Sequence, residues 1–144
     1  MFISIDQEGG RVRRITDGVT LFPGAMPAGI AGDKSLAERW GKTIAMELRN
    51  MGVNLNFAPV LDVNNNPANP VINTRSFGSD KHVVAELGTA YLKGQQRGGV
   101  IAAAKHFPGH GDTDRDSHYT LPVIEHGLER LREIELFPFR QGIK

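Results

Sequence analysis

Three short, nearly uninterrupted apolar runs constrain this chain more than any other feature: residues 2–5, 55–61 and 100–104. Runs this short, apolar at consecutive rather than alternate positions, suit strands covered on both faces in a parallel sheet. Pro59 lies inside the second run and has no N–H to give a ladder, so it belongs at an edge or a bulge.

Helix signals separate the runs. Ser35-Leu36-Ala37-Glu38 reads as a capping box and Gly52 as a stop. Between them Leu36, Trp40, Ile44, Leu48 and Met51 share one face. A second helix follows Ser79 as N-cap, with Asp80 in its first turn, and carries Val84, Leu87 and Tyr91 on one stripe until Gly98-Gly99 ends it. A third starts near Gly127, turns Leu128, Leu131 and Ile134 inward, and is interrupted by Pro138.

The order strand, helix, strand, helix, strand, helix describes a layered α/β fold with a parallel sheet. An open doubly wound sheet and a (β/α) barrel both fit that order. Each strand runs into polar residues: Asp6-Gln7-Glu8, then Asp62, then Lys105-His106. Three strands feeding one rim favour the barrel. A whole barrel takes about 250 residues and eight strands, whereas this chain has 144 residues. The expectation is a single unit over residues 1–144, a partial TIM-like barrel of about three to four βα units. Its open sheet edges predict marginal stability or self-association.

Composition narrows the function classes. Seventeen Lys+Arg against sixteen Asp+Glu give a formal charge of +1, and the one basic cluster is Arg11, Arg13 and Arg14. Broad nucleic-acid binding is disfavoured. With no cysteine, disulfides, thiolate zinc sites, iron–sulfur clusters and Cys nucleophiles are excluded. A carboxylate at position 6 comes too early for a signal peptide, and the longest apolar run, 100–104, spans no membrane. The chain reads as soluble; the cytoplasm is the expected compartment, with a periplasmic or surface-attached parent protein as the alternative.

The densest chemistry lies in Lys105-His106-Phe107-Pro108-Gly109-His110-Gly111-Asp112-Thr113-Asp114-Arg115-Asp116-Ser117-His118. Pro108, Gly109 and Gly111 make it a loop. Three readings remain open. A divalent metal could use the His and Asp ligands, but Lys105 would set a cation beside it. As a calcium loop the stretch has Ser117 where Gly is needed and Val123 where Glu is needed. A solvated polar loop could use the Asp side chains for local turns. Acid–base catalysis could use Asp116 to orient His118, which would protonate a leaving oxygen and then take a proton from water.

Four stretches carry a resemblance: Asp6-Gln7-Glu8-Gly9-Gly10-Arg11-Val12, Asn56-Phe57-Ala58-Pro59-Val60-Leu61-Asp62-Val63, Arg75-Ser76-Phe77-Gly78, and the loop from Lys105 to His118. Together, in this order and across nearly the whole chain, they resemble the β-N-acetylhexosaminidases of glycoside hydrolase family 3, the peptidoglycan-recycling type. The Asp116-Ser117-His118 triplet favours this branch over the family's β-glucosidases. The resemblance implies removal of terminal β-linked N-acetylglucosamine by a retaining mechanism with a glycosyl-enzyme intermediate, and no metal or other cofactor. Carried over, His118 is the acid/base and Asp116 its partner. Asp6, Arg14, Arg75, Lys105 and His106 hold the sugar.

Blander roles stay available: Arg14 as one more solvated charge, His106 as a satisfied buried histidine. The resemblance puts the nucleophile on a later strand, beyond Lys144. Turnover by these 144 residues alone is therefore not expected, which leaves a non-catalytic sugar-binding fragment as the alternative.

Overall fold

The computed structural model describes residues 1–114, 123–124 and 126–143. Three parallel strands, β1 (Ser4–Ile5), β2 (Leu55–Asn56) and β3 (Ile101–Ala102), lie side by side in chain order. Ser4 registers with Leu55 and Leu55 with Ile101. Among the described residues the helices are α1 (Ala25–Ala31), α2 (Lys34–Asn50), α3 (Lys81–Arg97), α4 (Leu128–Glu133) and α5 (Phe137–Gly142).

The ladders are shorter than the apolar runs predict. Beyond Asn56 the β2 chain passes through Pro59, which donates nothing, and pairing resumes only at a bridge between Val60 and Lys105. Coverage differs as well. One face of the sheet packs against helices, while Ile3, Phe57 and Ile101 are exposed on residues expected to be covered. The apolar composition is that of strands buried twice; the described residues bury them once.

The two long helices form where the apolar spacing places them, but their starts shift. The α2 cap is Asp33, whose Oδ1 accepts from the Ser35 and Leu36 amides, so Ser35 lies inside the helix. The α3 cap is Asp80, accepting from His82 and Val83, one residue after the expected Ser79. An aspartate with two exposed amides ahead of it caps more strongly than the neighbouring serine. Trp40, Ile44 and Leu48 are buried as expected, whereas Leu36 and Met51 are exposed at the ends of the stripe. The predicted third helix is two. Pro138 sits in the first turn of α5, where a missing N–H costs nothing, and starts that helix rather than interrupting another. Leu128, expected inward, is 55% exposed.

The core lies between α2, α3 and the covered sheet face. Trp40 stacks on Phe22 and meets Tyr91 edge-on, with ring centroids 5.3 and 5.1 Å apart. Two glycines set how close the helices come: a Cβ on Gly41 would lie 2.2 Å from the Tyr91 carbonyl oxygen, and one on Gly94 would lie 2.1 Å from that of Glu38. Among the described residues no helix is long and apolar enough to cross a membrane.

Candidate active site

Parallel strands deliver their C-terminal ends to one rim, and there the polar residues after each strand meet. Beneath the rim a buried amide chain fixes β1 to β2 and α3. Asn56 accepts the Gln7 amide at 2.9 Å, and its Nδ2 donates to the Gln7 carbonyl and to Gln95 Oε1. Gln95 in turn donates to the Ala58 carbonyl. Gln7 Oε1 accepts the amides of Arg14 and Ile15, drawing the segment after β1 back over the rim.

Above this layer, charges alternate through one connected network. Lys105 Nζ reaches Asp6 Oδ1 on one side and Glu8 Oε1, at 2.6 Å, on the other. Glu8 also takes a bidentate pair from Arg75: Nε to Oε2 at 2.9 Å and Nη2 to Oε1 at 2.8 Å. Such fork geometry fixes a guanidinium plane as a lysine cannot. Arg75 arrives on a short 3-10 turn (Asn73–Arg75), which the Ser76 hydroxyl ties to the Asp62 carbonyl at 2.6 Å.

His106 closes the network. Its Nδ1 lies 2.6 Å from Asp62 Oδ2 and its Nε2 3.1 Å from Arg75 Nη2. Arginine only donates, so Nε2 accepts and Nδ1 carries its proton toward Asp62. Asp62, fully buried, also accepts the backbone amides of His106 and His110. Burial works against the Arg75 charge, yet hydrogen bonding and attraction to Glu8, with Asp62 and Asp6 adding, raise the guanidinium above its ordinary value. It stays a fixed cation.

Asp6, Arg75, Lys105 and His106 are thus brought together. Arg14 is not part of the network: its amide bonds Gln7, while the residue itself is exposed. His118 and Asp116 lie outside the described residues. In the His/Asp loop, His110 Nδ1 faces Thr113 Oγ1 at 2.5 Å and Asp112 faces His126 at 2.5 Å. Among the described residues no group of three or more His, Asp or Glu side chains is arranged around a common metal position.

Two carboxylates at the centre, Glu8 and Asp62, are placed at strand ends by the sequence reading but are given no site role there. Glu8 falls two residues after Asp6, a spacing that repeats a strand face, and Asp62 follows the second apolar run; these were the available signals. Asn69, from the Asn-rich segment, is also structural: it donates to the His110 and Gly111 carbonyls and accepts from Val71 and Ile72.

All 144 residues match the family described as Glycosyl hydrolase family 3 N terminal domain. The chain belongs to that family. Among curated relatives, Beta-hexosaminidase A of Pseudoalteromonas piscicida is 47% identical, aligned over 100% of this chain and 25% of its own length. Beta-hexosaminidase of Neisseria meningitidis serogroup B is 40% identical, over 97% of this chain and 40% of its own.

Solved family 3 structures agree in shape. A glycoside hydrolase family 3 β-N-acetylglucosaminidase from Paenibacillus sp. str. FPU-7 superposes with a TM-score of 0.97 at 55% identity, covering 99% of this chain and 27% of that one. NagZ from Neisseria gonorrhoeae, solved in complex with N-trifluoroacetyl-D-glucosamine, gives 0.90 at 38% identity, covering 97% and 43%. The family 3 chain described here therefore spans between a quarter and less than half the length of these relatives.

Proposed function

We propose that these residues form the sugar-capturing and proton-transferring part of a glycoside hydrolase that releases terminal non-reducing β-linked N-acetylglucosamine from peptidoglycan fragments, with retention, in the cytoplasm. The three strands are, on this reading, about three to four βα units of a TIM-like barrel. The observation that carries the reading is the convergence of Asp6, Lys105, Arg75 and His106, from two strand ends and one turn, into a single hydrogen-bonded network. The names borne by relatives, β-hexosaminidase and β-N-acetylglucosaminidase, support the substrate class.

The division of labour follows from exposure. The Asp6 side chain is 37% exposed, against 6% for Glu8. Asp6 is therefore the carboxylate placed to accept sugar hydroxyls, with Lys105 beside it donating. Arg14, exposed at the rim, adds a further donor. In the reaction His118, oriented by Asp116, gives its proton to the departing oxygen as the C1–O bond breaks and a nucleophile bonds C1. The imidazole then takes a proton from the water that attacks C1 and releases the nucleophile. Asp6, Glu8 and Asp62 are each engaged by Lys105, Arg75 or His106, so the covalent step falls to a group outside this network. The open edges of the sheet make self-association the expected state of the isolated chain, read by sedimentation.

Titration with N-acetylglucosamine, followed by NMR, tests the reading. The expected result is saturable shifts at Asp6, Lys105 and His106, weaker with glucose; no response at high millimolar sugar overturns it. Incubation with nitrophenyl N-acetyl-β-glucosaminide should release no nitrophenol. Release that His118→Ala abolishes would overturn the assignment of the covalent step to a group outside this chain's network.

A further inference from the structure

Glu8 holds a position that no sugar-binding role explains. Its side chain is almost wholly buried, yet among the described residues it is the one anion in contact with both Lys105 and Arg75. Each of those cations has a second partner on the far side: Asp6 for Lys105, His106 for Arg75. Removing the Glu8 charge would leave two cations from distant parts of the chain, Lys105 and Arg75, without their common reference point.

The core side of Glu8 carries a second, independent observation. A small cavity lies there, bounded by Glu8, Arg75, Trp40 and Tyr91, with about 10 Å³ for the centre of a water molecule. Trp40 Nε1 and Tyr91 Oη, both buried donors, have no hydrogen-bond partner among the described residues. Buried donors without partners are rare and costly, and a cavity of about 10–15 Å³ with two to four polar neighbours is what one ordered water requires. The three polar groups supply two donors and one carboxylate acceptor. Burial, with Glu8 nearby, pushes the Tyr91 phenol well above its ordinary value, so it keeps its proton and donates.

We propose that Glu8 is the positioning residue of this site, a buried anion that fixes Lys105 and Arg75 toward the sugar and is itself held from the core side by one water shared with the Trp40 indole N–H and the Tyr91 hydroxyl. The inference rests on the reading of Asp6 and Lys105 as sugar contacts. It assigns Glu8 no contact with sugar. The aromatic core and the binding rim become one hydrogen-bonded unit, with the water as the joint.

The test uses the 144-residue chain, N-acetylglucosamine titrations and a high-resolution crystal structure. Glu8→Gln should weaken sugar binding about tenfold, the worth of one charge-assisted hydrogen bond, and Glu8→Asp should restore part of that loss. In a Lys105→Met background the Glu8→Gln change should cost less than in wild type, because one of the two groups it positions is gone while Arg75 remains. Tyr91→Phe keeps every charge; it should empty the cavity of its water and weaken the sugar by about threefold, less than a full hydrogen bond's worth. Equal affinity in folded Glu8→Gln and wild type overturns the inference. If Glu8→Gln does not fold, Tyr91→Phe decides: unchanged affinity, or a wild-type cavity without water density, overturns it. A wild-type chain that binds no sugar would instead bring down the functional reading on which the inference stands.

Discussion

The contact between α2 and α3 and the rim at the strand ends are held by opposite kinds of force. The helix contact is aliphatic and aromatic, built from Trp40, Ile44, Leu48, Leu87 and Tyr91 at helical spacing, and its stability grows with area regardless of direction. The rim is a set of directed hydrogen bonds among charged and polar side chains 31 to 99 residues apart in the chain. Loss of one apolar group leaves a gap that neighbours can partly fill. Removal of one charge strands its partner, already stripped of water, beside others of its own sign.

That contrast is broken or sharpened by four substitutions, taken in order of their expected effect on stability. Asp62→Ala removes the acceptor of the His106 ring and of two amides in a fully buried setting, and should cost about 3–5 kcal/mol. Urea unfolding measures it, and a cost below about 1 kcal/mol, the ordinary worth of an exposed pair, would mean the rim is not a connected unit. Leu48→Ala should cost about 3 kcal/mol through its cavity and leave N-acetylglucosamine binding unchanged, since Leu48 offers no hydrogen bond to the rim; weakened binding would show that the rim depends on apolar packing beyond Trp40 and Tyr91.

Asp80→Ala should cost about 1 kcal/mol at neutral pH through the lost helix cap. Amide hydrogen bonds from Val83 and His82 hold the Asp80 carboxyl below its ordinary value. Its contribution is therefore complete above the unfolded-state value near pH 4 and disappears as pH falls through the lower folded-state value. Wild type and variant should converge in urea midpoint as the solution is acidified. Asp6→Asn completes the series: stability should change by less than about 1 kcal/mol, since the pair is partly exposed, while sugar affinity falls about tenfold. A variant that keeps its affinity would remove Asp6 from the sugar site.

The helix layer was legible because its information is local. Val84, Leu87 and Tyr91 declare one face at helical spacing, and Gly98-Gly99 declares the end. Caps were misplaced by one or two residues where an aspartate and a serine competed nearby, at Asp33 with Ser35 and at Asp80 with Ser79. The helix α1 was missed altogether, since Pro27 and Gly29 obscure its pattern. At the rim, Asp6, Arg75, Lys105 and His106 came from resemblance rather than spacing. The roles of Glu8 and Asp62, both visible as strand-end residues, stayed hidden because those roles exist only once the strand ends meet; no window of sequence contains both a carboxylate and the partners it serves.

Gly41 and Gly94 extend the reach of the helix layer into the rim. Each occupies a spot where the opposite helix's carbonyl leaves room for a hydrogen atom and no carbon. A saturation library at either site, sorted for folded protein, should return glycine almost alone, because even alanine would wedge the pair apart. Tyr91 stands on the wedged helix and Trp40 on its neighbour, so such a wedge would pull the aromatic floor away from the charges above it.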